Sequence, residues 1–276
     1  MADEVAVQGP NSFGPIPPGD FRAPSYEESV IISVDWAVDW VLHNTNRPVI
    51  AGGYSQGGEA ASRFRMEFEP GKRLEHLRQN WVCGYVFGNP SRHLESTYYG
   101  GPPTPWEGIA QSRLPQMGND WCELIDPGDM YGTCMRGLGG EIERDVYTMC
   151  TQMEMHSGGV EFCITLVANL IEVAKNLDGD AYDDLKAGAE RYGVDLSGAT
   201  MAPPEQIEEV SRGVLSVKGI VWAIAAAVDA LIFFCSPPFP TAPHCEYHVR
   251  EVWPGMTYVG LAIQHVHDWA NQYAAR

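Results

Sequence analysis

A lone serine stands between glycines in Gly53-Tyr54-Ser55-Gln56-Gly57, inside the stretch AGGYSQGGEAAS at 51–62. A serine hydroxyl becomes a working nucleophile when a base takes its proton and an acid fixes that base's tautomer. The G-x-S-x-G pattern is short, and an ordinary serine in a glycine-rich loop is its competing reading. The residues downstream of Ser55 decide between them. In α/β-type hydrolases the order is Ser, then Asp or Glu, then His. Here Ser55 precedes Asp126 and Asp129 in DPGDMYG, then His244 and His248 in CSPPFPTAPHCEYHV. The order suits acyl transfer. Asp129 is expected as the acid and Asp126 is its alternative, because DPGD is also ordinary turn chemistry. Asp120 precedes its strand and is the weakest choice. His248 is expected as the base, with His244 as the alternative.

These groups need rigid elements to hold them. Ser25 and Glu28 have capping-box spacing before YEESVIISVDWAVDWVLHN, where Val30, Val34, Ala37, Val38 and Val41 recur at helical intervals. PVIAGGYS reads as a short buried strand and EAASRFRMEFE as a helix, so Ser55 falls on a strand-to-helix turn. WVCGYVFGNP at 81–90 gives a second strand, and WCELI, running into DPGD, a third. The alternation predicts an α/β fold with a parallel sheet whose functional loops lie at the strand C-termini. From about 140 the pattern turns helical, as in EFCITLVANLIEVAKNL and PEQIEEVSRGVLSVKG. The expected organisation is a hydrolase core at 1–139, a helical insertion at 140–234 and a return to the core at 235–276. MTYVGLAIQHVHDWANQYA closes the chain as a helix, with His265 and His267 expected on its solvent face.

Composition narrows the classes further. A net charge of −18 opposes nucleic-acid binding and long-range attraction to anionic membrane. Seven cysteines at 83, 122, 134, 150, 163, 235 and 245 include no C-x-x-C pair, which argues against a zinc ribbon; their pairing is not legible. The acidic run DGDAYDD lacks EF-hand spacing, and no dinucleotide or Walker loop is present, so no metal or cofactor is expected. The apolar run at 219–235 is interrupted by Asp229 and reads as a buried helix, with a membrane helix as the alternative. The opening MADEVAVQGP shows no signal-peptide pattern.

GYSQGGEAA, FGNPSR and DPGDMYG, then the helical insertion and HVREVWPGMTYVGLAI, resemble the mycobacteriophage lysin B family of cutinase-related serine esterases. FGPIPPGDFRAPSYEESV extends the resemblance over nearly the whole chain. It implies an α/β-hydrolase core and hydrolysis of the ester joining mycolic acids to arabinogalactan in phage lysis. It also implies synthesis in a host cytoplasm, action at the cell envelope, and Ser55, Asp129 and His248 as nucleophile, acid and base. The backbone N–H of Gln56 would be one oxyanion donor. The family's pattern opens with a further strand whose following loop supplies a second donor. About ten residues precede GPNSFGP here, so that strand is expected to be missing or shortened. The second donor is unassigned, with Asn11 and Ser12 as weak candidates. A non-catalytic structural or envelope-binding protein that keeps the fold is the alternative function.

Overall fold

The structure is a computed structural model, and the residues it describes are 3–12, 23–93, 106–110, 112–134, 136–137, 140, 143–144, 147 and 241–276. Helix α1 spans Tyr26–His43, with Glu27 and Glu28 in its first turn, negative charges that suit the N-terminal end of the helix dipole. Ser25 caps it by accepting the Glu28 N–H at 3.2 Å. Val30, Val34, Ala37, Val38 and Val41 form its buried stripe.

Strand β1 (Val49–Tyr54) leads through Ser55 into α2 (Gln56–Met66). After a 3₁₀ turn at Glu75–Asn80 come β2 (Trp81–Phe87) and β3 (Trp121–Leu124). The three strands form a parallel sheet in the order β1-β2-β3. A short helix α3 (Ala242–Cys245), a hairpin of β4 (Glu251–Trp253) and β5 (Met256–Thr257), and α4 (Tyr258–Ala274) complete the described elements. The hairpin was not expected from the sequence, although Pro254-Gly255 is a turn signal and Gly255 takes φ +84°.

Register assigns the two faces of the sheet. Gly84 pairs with Trp121 and Val86 with Glu123, while Tyr85 pairs with Cys122 and Phe87 with Leu124. The second set packs with Tyr258, Leu261 and Ala262 of α4 in one apolar cluster. On the other face Trp121 stacks on Trp81 at 6.3 Å, and Trp81 meets Phe64 and Phe68. Gly84 makes room there, since a Cβ would lie 2.3 Å from the Trp121 ring. The fold is therefore α/β, a parallel sheet between helices, as the strand alternation implied.

The chain divides into two compact units. One is Met1–Asn11, Val30–Met135 and Asp229–Arg276; the other is Ser12–Ser29 and Arg136–Val228. The sheet, Ser55, Asp129 and both candidate histidines belong to the first. The helical insertion expected at 140–234 and the apolar run at 219–235 lie almost wholly outside the described residues. No helix among the described residues is long and apolar enough to cross a membrane.

One expectation on α4 is corrected. His267 is exposed, but His265 is fully buried. It shares the stripe of Tyr258, Leu261 and Ala262 at helical spacing, and burial holds its pKa below the usual histidine value. Among the described cysteines, Cys83 is a buried free thiol and Cys245 an exposed one. Burial pushes the Cys83 thiol up to about 12, which keeps it a protonated, inert core residue.

Buried polar groups bolt β3 to α2 behind the sheet. The Asn89 amide donates to Ser62 Oγ at 2.9 Å and to Glu123 Oε1 at 3.1 Å, and Trp121 Nε1–H donates to Glu123 at 2.9 Å. Burial raises the Glu123 carboxyl above its ordinary value of 4.5. The folded chain thus holds this proton longer than the unfolded chain does. The group's favourable share is complete below pH 4.5 and is lost as pH rises through the folded value. Glu123→Gln keeps the acceptor without the titration. Its melting temperature should fall less than wild type's as pH is raised from 4.5 to neutrality, measured by calorimetry in matched buffers.

Candidate active site

Ser55 sits at φ 55°, ψ −122°, a conformation L-residues rarely adopt. Holding it there costs about 1–3 kcal/mol, sustained by the packing of strand and helix around it. Its N–H donates to Phe87 O at 2.9 Å, continuing the sheet ladder, while its carbonyl accepts Gly58 N–H at 2.8 Å, starting α2. The sharp turn brings the backbone of α2 onto β1. A Cβ at Gly53 would fall 2.1 Å from Gly57 O, so only glycine fits. A Cβ at Gly57 would meet nothing within 4 Å, so space does not demand the second glycine. Gln56, the first residue of α2, carries one of the N–H groups that a helix start directs outward.

The imidazole against Ser55 is that of His244. Its Nε2 lies 2.9 Å from Ser55 Oγ and its Nδ1 lies 2.8 Å from Asp129 Oδ2. A carboxylate only accepts hydrogen bonds, so Nδ1 carries the proton and Nε2 presents its lone pair to the serine hydroxyl. That is the tautomer a general base needs. The expectation of His248 in this place is corrected: His248 is exposed on the turn beyond Tyr247. The reason is local. Thr241 takes a left-handed φ of 60° just ahead of α3, Pro243 stands in the first turn of that helix, and the turn carries His244 inward. Tyr131 and Tyr54 flank the buried ring, with centroids at 4.7 and 4.9 Å.

Asp129 is fully buried at the end of β3, in the loop the sequence singled out. Its Oδ2 accepts both His244 Nδ1–H and, at 2.5 Å, the Tyr247 hydroxyl; its Oδ1 accepts Tyr131 N–H at 3.1 Å. Asp126, the alternative acid, is engaged elsewhere. Its Oδ1 accepts Gly128 N–H at 2.8 Å and its Oδ2 pairs with Arg250 at 3.1 Å. It shapes the turn and ties it to the segment after His248. Gly88, at φ +55°, leaves space for the acid–histidine pair, since a Cβ there would lie 2.6 Å from Asp129 Oδ2 and 2.9 Å from the imidazole.

Tyr247 escaped the sequence reading. It is buried, accepts Asp126 N–H at 3.2 Å and donates to Asp129, so it spans both loop carboxylates. Burial and the nearby Asp129 charge push its pKa well above the usual tyrosine value, which keeps the hydroxyl a donor. Tyr247→Phe should lower ester turnover about tenfold with KM unchanged, because a hydrogen bond to a charged group is worth about 1.5–3 kcal/mol. Steady-state kinetics on a short-chain ester checks it.

Ser12, a weak sequence candidate beside Asn11 for the second oxyanion donor, donates from N–H to Ser29 Oγ and from Oγ to Pro24 O. Among the described residues no group of histidine, cysteine and carboxylate side chains could hold a metal ion. No family model matches the sequence, and no curated protein does. Among solved structures the chain is similar to the crystal structure of lysin B from Mycobacteriophage D29, at 17% identity over 77% of this chain and 84% of that one, with a TM-score of 0.44.

Proposed function

We propose that this chain is a serine ester hydrolase. The observation that carries the reading is the unbroken run of hydrogen bonds from Ser55 Oγ through His244 to buried Asp129, on a strained strand-to-helix turn. Ser55 Oγ attacks the ester carbonyl as its proton passes to His244 Nε2. The imidazolium that forms is held by Asp129. The tetrahedral oxyanion is taken up by the Gln56 N–H at the start of α2. His244 then gives the proton to the leaving alcohol, activates water, and the acyl group departs from Ser55 as a carboxylic acid.

The substrate class rests on the motif resemblance. GYSQGGEAA, FGNPSR and DPGDMYG point to lipid esters of the mycobacterial-type envelope, with the mycolic acid–arabinogalactan linkage as the natural target. On the same ground the protein acts at the envelope during phage lysis, after synthesis in the host cytoplasm, and needs no cofactor. The test is covalent. A fluorophosphonate is attacked by an activated serine and displaces fluoride, leaving a stable phosphonyl ester. Intact mass should show one adduct per chain, mapped by peptide sequencing to Ser55. A folded chain that takes up no label, or takes it up elsewhere, would sink the proposal.

A further inference from the structure

His244 is gripped by more than hydrogen bonds. Its Nδ1 and Nε2 reach Asp129 and Ser55 at 2.8 and 2.9 Å, and two such bonds fix the ends of the ring. Rocking about the line between those ends is limited by whatever touches the ring itself. Tyr54 and Tyr131 do so, with centroids 4.9 and 4.7 Å from the imidazole and planes inclined to it at 35° and 68°. Each ring comes from a different catalytic turn. Tyr54 directly precedes Ser55, and Tyr131 follows Asp129, whose Oδ1 accepts the Tyr131 N–H at 3.1 Å. Tyr54 also reaches across to the segment that carries the base. Its hydroxyl lies 4.0 Å from Cys245 Sγ, and its ring meets Tyr247 at 6.3 Å, edge to face. Burial raises the Tyr54 pKa, so the hydroxyl stays protonated. A tyrosine that is 45% exposed contributes little to the core, so a substitution there removes mainly its contacts with the base.

We propose that Tyr54 is a positioning residue for the second half of the reaction, holding the His244 ring while the acyl group sits on Ser55, a role that rests on the hydrolase reading. In the free enzyme the Ser55 hydroxyl donates to Nε2 and helps to hold the base. Once the alcohol has left with that proton, Oγ is bonded to the acyl carbon and has no hydrogen to donate. Asp129 still accepts Nδ1–H, but the serine's bond on the Nε2 side is gone. Water must then give a proton to Nε2 as its oxygen bonds to the acyl carbon. The bond from that carbon to Oγ breaks next, the carboxylic acid leaves, and Oγ takes the proton back from Nε2. Nε2 has to keep its aim through this step without the serine, and the adjacent rings hold it there. Tyr131 also serves the acid through its backbone, so Tyr54 is the cleaner of the two to change.

The test uses the whole chain and p-nitrophenyl butyrate, whose alcohol leaves readily, and follows both halves of turnover by stopped flow. Tyr54→Leu should release one p-nitrophenolate per chain in a burst and then run slowly. Its kcat and KM should both fall about tenfold while kcat/KM stays within about twofold, the pattern of a slowed second step. Tyr54→Phe keeps the ring and should behave as wild type. Tyr54→Met, apolar and of similar reach but without a ring, repeats the measurement should the leucine variant not fold. A second readout needs no turnover. In a Ser55→Ala background, which removes the serine hydroxyl from Nε2, NMR follows exchange of the His244 Nδ1–H with water. Adding Tyr54→Leu should speed that exchange at least about tenfold, and adding Tyr54→Phe should leave it unchanged. If wild type turns over no ester while the exchange rates differ in this way, the hydrolase reading falls and the hold of Tyr54 on the imidazole stands. The proposal is overturned if the exchange rates are equal, or if Tyr54→Phe loses as much as Tyr54→Leu. It is overturned too if Tyr54→Leu lowers kcat/KM as far as kcat and shows no burst.

Discussion

His244→Ala should cut ester turnover by about 10⁴–10⁶, while His248→Ala should leave it within about twofold. The contrast comes from position. His244 bridges Ser55 Oγ at 2.9 Å and Asp129 at 2.8 Å, whereas His248, four residues on, is exposed. Without His244 the serine proton has no acceptor, and the Asp129 charge faces an empty space lined by Tyr54 and Tyr131. The residual rate then comes from binding and the Gln56 N–H alone. Added imidazole should restore part of the His244→Ala activity by entering the vacated space, and should do nothing for Ser55→Ala. Both variants need circular dichroism to show that they fold. Equal losses in the two histidine variants, or a loss in His248→Ala alone, would reject the assignment of the base.

The sequence favoured the wrong histidine for a local reason. Both histidines lie in one proline-rich loop, and their order after Asp129 is the same. The deciding feature is the left-handed Thr241 ahead of a helix of four residues with Pro243 in its first turn, too short to show periodicity. The signal in TAPHC was a proline at a helix start, and it was legible only as loop chemistry. Tyr247 was missed for a related reason: its role depends on a hydroxyl reaching back across more than a hundred residues to Asp129, and no local pattern encodes that. His265 is a different case. Its place three and four residues after Ala262 and Leu261 put it on the apolar stripe, so its burial was readable from spacing. The elements that set out the site were readable for the same reason. β1, β2 and β3 are short apolar runs bounded by Gly, Pro or Asp, and each ends where a functional loop begins. Strand alternation and chain order sufficed to place Ser55 and the DPGD loop at the same end of the sheet.

Asp129→Asn should lower turnover by about 10⁴ with little change in fold. Every neighbour of this carboxylate is a donor: His244 Nδ1–H and the Tyr247 hydroxyl at Oδ2, and Tyr131 N–H at Oδ1. An asparagine must set its NH₂ against one side or the other. Turned toward His244, it makes Nδ1 the acceptor, so the ring proton moves to Nε2 and faces Ser55 as a donor, and the base is lost. Turned toward Tyr131, it loses that bond and opposes two N–H groups, and the imidazolium formed during attack has no negative partner. Each orientation removes something the reaction needs, which is why the loss should be large although one atom has changed. Asp126→Asn gives the internal control. Its carboxylate serves Gly128 N–H and Arg250, so turnover should stay within about threefold while the melting temperature drops by a few degrees. Steady-state kcat for both variants, with thermal unfolding in the same buffer, separates the two carboxylates. If Asp126→Asn carried the larger catalytic loss, the acid would have to be reassigned, and the geometry around His244 could no longer be the working one.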